Sequence, residues 1–104
     1  MEYGLSENII NNIIKVLEQF PAVETAILYG SRAKGTFKPS SDIDIVLKGD
    51  EMTLQTLSRI AIKLDDLLLP NKFDLSIYHH ITNSELRDHI TRIGKILYHA
   101  ETVR

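Results

Sequence analysis

Apolar positions recur along this chain with two different periods. Between Ser6 and Pro21, Ile10, Ile13, Leu17 and Phe20 fall at helical spacing, with Ser6 placed as N-cap and Pro21 as stop. A second helical pattern runs over about residues 53–69. Its stripe is Leu54, Leu57, Ala61, Leu64 and Leu68, with Ile60 and Leu67 beside it, and Pro70 ends it. A final helix is predicted behind the capping-box pattern Thr82-Asn-Ser-Glu85, carrying Leu86, Ile90, Ile93 and Leu97 and ending in GKILY. Residues 26–29, 42–47 and 72–79 read instead as strands, rich in Ile, Val, Leu and Tyr or alternating every second residue. Strands alternating with helices predict an α/β (α+β) fold, a small central mixed sheet flanked by helices.

The polar positions of two strands are carboxylates. In Asp42-Ile-Asp-Ile-Val-Leu, residues i and i+2 share a face, so Asp42 and Asp44 point the same way while Ile43 and Ile45 turn to the core. The strand rise places their Cα atoms roughly 6–7 Å apart. Like charges so close repel, and a divalent cation bound by carboxylate and phosphate oxygens would compensate them. In Lys72-Phe-Asp-Leu-Ser-Ile-Tyr-His79, the apolar Phe73, Leu75 and Ile77 alternate with a polar face carrying Asp74. Were this strand to neighbour the first with polar faces aligned, three carboxylates would converge. For a D-x-D on a strand taken alone, a solvated sheet face is the simpler reading.

What changes that balance lies upstream. Gly30-Ser31 closes the first strand, and ten residues separate Ser31 from Asp42. Glycine lets the backbone approach a ligand closely, Ser31 can cap a following helical turn, and N–H groups at such a start suit phosphate. The intervening segment carries Arg32, Lys34 and Lys38 and no acid, against a net charge of −2 for the whole chain. Such a local excess can neutralise a polyphosphate. The glycines of Gly30-Ser-Arg-Ala-Lys-Gly35-Thr36 have the separation of a Walker A loop, but Thr36 stands where its lysine must be. That reading fails.

Together GSRAKG, SDIDIVL, KFDLSIY and the terminal GKILY segment resemble the DNA polymerase beta nucleotidyltransferase superfamily, and within it the minimal nucleotidyltransferase (MNT) proteins. These are commonly the antitoxins of HEPN–MNT toxin–antitoxin pairs. The resemblance covers most of the chain, and no core motif residue is missing. It implies a polymerase-beta-like fold and a catalytic set of Asp42, Asp44 and Asp74. Gly30 and Ser31 would hold the triphosphate, with Arg32 and Lys34 completing the nucleotide site. Asp42 and Asp44 would bind two Mg²⁺ ions, and Asp74 would complete the second metal site and help activate the acceptor hydroxyl. Lys34 stands where many relatives have arginine, a departure that keeps the charge. The implied reaction is transfer of AMP from ATP to a hydroxyl, typically a tyrosine, of a HEPN toxin. Two other readings stay open: a non-catalytic antitoxin acting by contact, and a nucleotidyltransferase acting on small molecules, as the aminoglycoside enzymes do.

Composition agrees with this. The chain of 104 residues is expected to form a single domain, 1–104, with 43% hydrophobic and 25% charged residues. No apolar run approaches the ~20 residues that span a bilayer. The N-terminus lacks the pattern of a signal peptide, and there is no cysteine; a cytoplasmic location is expected. The slightly acidic balance argues against extensive, charge-driven nucleic-acid binding. Transfer also needs an acceptor in line behind the α-phosphate, and no second domain is legible to hold one. A partner protein is therefore expected, with homo-oligomers as another possibility. Ile96 and Tyr98, outside the helix stripe, are candidates to cover that partner. His79-His80 reads as a solvated strand end rather than a metal pair, and Tyr29 and Tyr78 as half-buried sheet residues rather than base-stacking platforms.

Overall fold

The computed structural model describes residues 2–100. Chain order is α1 (Glu7–Glu18), β1 (Thr25–Tyr29), α2 (Gly30–Lys34), β2 (Ile43–Lys48), α3 (Leu54–Asp65) and β3 (Phe73–Ile77). A 3-10 turn over Tyr78–His80, α4 (Ser84–Ile93) and β4 (Lys95–His99) complete it. The sheet has the order β3-β2-β1-β4; β1 pairs antiparallel with β2 and β4, and β2 pairs parallel with β3. Parallel pairing requires a crossover, and α3 supplies it.

Alternation along the strands divides the sheet into two faces. Ala26, Leu28, Ile43, Ile45, Leu47 and Ile77 face the larger core, where Ile13 and Leu17 of α1 and Ile60 and Leu64 of α3 are also fully buried. Burying one such aliphatic side chain contributes about 1.5–3 kcal/mol. The opposite face is covered only in part, by Ile90 and Leu86 of α4 against Val46, Ile27 and Tyr78. The polar members of β2 and β3 emerge on that second face. Ser6 caps α1, its hydroxyl accepting the Ile9 N–H at 3.1 Å.

Four sequence expectations require correction. The last helix stops at Ile93, and Leu97 belongs to β4. Ile96, Leu97 and Tyr98 fit either period; the open edge of β1 decides, since its backbone groups need ladder partners. Gly94 makes the reversal possible, because a Cβ there would collide with the Ile90 carbonyl and with Ile27. Asn83, not Thr82, caps α4, its side chain accepting the Leu86 N–H at 3.0 Å. The second helix ends at Asp65; Leu68, at φ 57°, is 87% exposed and lies outside the stripe. The strand expected over 72–79 ends at Ile77, and the two histidines sit exposed on the following 3-10 turn.

Candidate active site

Register alone brings the carboxylates together. Asp44 of β2 is the direct neighbour of Asp74 in the parallel pairing, and of Tyr29 in the antiparallel pairing with β1. Adjacent strands lie about 4.8 Å apart, so Asp44 and Asp74 stand side by side on one face. Asp42 precedes the strand by one residue and is exposed, as is Asp74; Asp44 is half-buried between them. The Asp44 carboxyl is pushed up to about 6, first by burial, then by the charges of Asp74 and Asp42, with Arg32 opposing. Asp74 and Asp42 thus both act on Asp44, in a patch that no ion pair neutralises among the described residues.

The Gly30 backbone closes this patch from the β1 side. At φ 73° Gly30 sits in the left-handed region, and a Cβ there would collide with the Asp44 carboxylate. Ser31 is not the cap of α2 as expected: Tyr29 holds that position without a side-chain bond, and the Ser31 carbonyl instead accepts from the Gly35 and Thr36 amides at 2.9 and 3.0 Å. Lys34 lies exposed in the last turn of α2.

Arg32 departs furthest from its expected role. It is 3% exposed, and its guanidinium donates to the carbonyls of Tyr3 (2.9 Å), Ser41 (3.0 and 3.3 Å) and Pro39 (3.4 Å) while lying over the Phe37 ring. Those donors are committed to the backbone, so Arg32 ties the loop between Gly30 and Asp42 instead of reaching out to phosphate. Its charge still bears on Asp44. Sequence reading could not find this, because burial of a cation depends on carbonyls contributed by three separate residues.

His89 was missed altogether. From α4 its Nε2 accepts the Gly30 N–H at 3.1 Å, and its ring meets Tyr29 edge-on at 6.2 Å. Accepting that bond leaves the ring proton on Nδ1. Nothing in the local sequence marks His89, since α4 meets α2 only through the fold. Tyr29 is buried with its hydroxyl 3.4 Å from Ser76 Oγ; burial, then Asp74 and Asp44, raise its ionisation above the usual range, with the Ser76 contact opposing. Tyr78 is no free stacking platform, because Lys48 and Arg87 each lie 4.5 Å from its ring centre.

The donor set fits a hard cation. Mg²⁺ takes oxygen ligands, usually one or two carboxylates, with substrate phosphates and water supplying the rest. Among the described residues no three His, Asp or Glu side chains form a ready-made metal cage. A half-buried Asp44 flanked by the exposed Asp42 and Asp74, with no ion pair to any of them among the described residues, is what such a substrate-completed site provides.

The polymerase beta nucleotidyltransferase family model matches residues 11–102, and the chain belongs to that family. It is a nucleotidyltransferase by fold, a class that ordinarily works with divalent metal. A toxin–antitoxin crystal structure with AMP-PNP shares 28% identity over 88% of this chain and 74% of its own, at a TM-score of 0.72. An MntA–HpeT toxin–antitoxin mutant shares 26% identity over the same shares, at 0.71. A complex of tri-AMPylated Shewanella oneidensis HEPN toxin with MNT antitoxin, at 23% identity, 92% and 74% coverage and a TM-score of 0.69, is alike in fold. No curated protein matches the chain.

Proposed function

We propose that this chain is an MNT antitoxin, a single catalytic domain of the cytoplasm that transfers AMP from ATP to a hydroxyl, most simply a tyrosine, of a HEPN-type toxin. The observation that carries the reading is the register pairing of Asp44 with Asp74, with the Gly30 backbone pressed against the Asp44 carboxylate. Similarity to a toxin–antitoxin structure holding AMP-PNP supports both nucleotide and partner. The open placement of Asp42 and Asp74 on a half-covered sheet face suits an acceptor delivered by another protein.

In this mechanism the Gly30-Ser31 turn holds the triphosphate with Lys34 nearby, and Asp42 and Asp44 would hold two Mg²⁺ ions with Asp74 completing the second site. Bound metal would screen the triphosphate charge and stabilise the charge that develops during in-line displacement. The acceptor oxygen forms its bond to the α-phosphorus as the bond to the bridging oxygen breaks. Pyrophosphate leaves, and Asp74 helps take the acceptor proton. Incubation with labelled ATP, Mg²⁺ and a HEPN-type toxin partner should label the toxin. No transfer, or transfer unchanged by Asp44→Asn, would overturn the reading. Protection of cells from the toxin by an Asp42→Ala/Asp44→Ala protein would favour neutralisation by contact instead.

A further inference from the structure

Asp42 lies one residue before β2, outside the strand pairing that places Asp44 and Asp74, yet its backbone is held on both sides by one short segment. Ser41 immediately before it and Ile43 immediately after it each bond to residues 71–72. The Ile43 N–H donates to the Lys72 carbonyl at 2.8 Å, a backbone bond at the start of the β2–β3 pairing. One step earlier the backbone pairing has ended, and the Asn71 side chain takes over. Its Nδ2 donates to the Ser41 carbonyl at 3.1 Å and to the Pro39 carbonyl at 2.8 Å. Both partners are acceptors, so the orientation of the amide is determined. Arg32 donates to the same two carbonyls.

We propose that Asn71 is a positioning residue for Asp42, setting the direction of its carboxylate toward Asp44 and the bound cation. This rests on the nucleotidyltransferase reading given above. The peptide plane between Ser41 and Asp42 carries both the carbonyl that Asn71 holds and the amide that sets φ of Asp42. With the next peptide plane held by the Ile43 N–H bond to Lys72, fixing that plane sets φ of Asp42 and so where its Cβ points. Asn71 lies in the turn leading into β3, so the same side chain couples the placement of Asp42 to that of Asp74. It acts as one side-chain rung added to the parallel ladder.

The test is binding of Mn²⁺ to the folded protein in the presence of a non-hydrolysable ATP analogue, measured calorimetrically. Asn71→Asp keeps the shape but sets an acceptor against two carbonyls. It should weaken Mn²⁺ binding about tenfold, as loss of a supporting partner does at other metal sites, while the analogue binds without metal as before. In an Asp42→Ala background the same change should weaken Mn²⁺ binding no further, because the group it positions is gone. Equal Mn²⁺ affinity in wild type and Asn71→Asp, or an equal loss in the Asp42→Ala background, would overturn the proposal. Should Asn71→Asp fail to fold, Asn71→Ala, which removes the donor without adding charge, is read in the same way. Wild-type protein that binds no Mn²⁺ with the analogue would overturn the nucleotidyltransferase reading itself.

Discussion

Asp44 and Asp74 are register partners on adjacent parallel strands, and the backbone of Gly30 lies against the Asp44 carboxylate from the other side. An acid so enclosed resists ionisation, and its carboxyl stands at about 6 rather than 3.8. This relationship has consequences for stability as well as for chemistry.

The metal-free protein should lose stability as pH rises from about 4 to about 6. In that window folded Asp44 still binds a proton that the unfolded chain has released, so rising pH favours unfolding. Because Asp44 is half exposed and screened, the effect is on the order of 1 kcal/mol. Thermal melts from pH 4 to 7 would show it, and Asp44→Asn should flatten the profile. The acidity of other carboxylates adds its own slope, so the difference between the two proteins is the quantity to read.

Mg²⁺ together with ATP should reverse this penalty at pH 7 and raise the melting temperature. A ligand at a hundred times its Kd contributes about 2.7 kcal/mol, and each kcal/mol moves a protein of this size by ~4–8 °C. Chelation by EDTA should return the melt to its starting value, and Asp42→Ala/Asp44→Ala should show no metal-linked rise.

Replacing Gly30 by alanine should abolish transfer and cost about 1–3 kcal/mol. The residue must keep φ 73° while its new methyl group displaces Asp44. A melt combined with the transfer assay separates the two effects: Asp44→Asn should lose the transfer without the instability.

Arg32→Met should destabilise the fold by about 1–3 kcal/mol, since it leaves the half-buried Tyr3 carbonyl without its donor and leaves Asn71 alone on the Ser41 and Pro39 carbonyls. Arg32→Lys should recover only part of this, because one ammonium cannot reproduce the planar fork. Denaturant midpoints at constant slope would give both values.

His89→Leu should enlarge the stabilisation that ATP confers. The change leaves the Gly30 N–H without its acceptor, at roughly 1 kcal/mol for a half-buried donor, and a phosphate oxygen would then satisfy it. An ATP-linked melting shift smaller than wild type would show that His89 assists the nucleotide rather than competing with it.

Sequence by itself determined the parts of this protein that depend on neighbours along the chain. Alternation in β2 put Ile43 and Ile45 in the core and turned Asp44 away from it; the Ser6 cap and the stripe of α1 followed from spacing, and Gly30 marked a turn of close backbone approach, though it is the structure that sets the Asp44 carboxylate against it. Tertiary structure decided whatever needs two distant segments in register. The pairing of Asp44 with Asp74, the burial of Arg32 under three backbone carbonyls, and the reach of His89 to Gly30 all join residues that no local period relates. The same holds for GKILY: Leu97 continues the helical spacing of Leu86, Ile90 and Ile93, yet the unpaired edge of β1 drew it into β4. Local patterns record which face of an element is apolar, but hydrogen-bond satisfaction across the sheet selects which elements meet, and that requirement is written only in three dimensions.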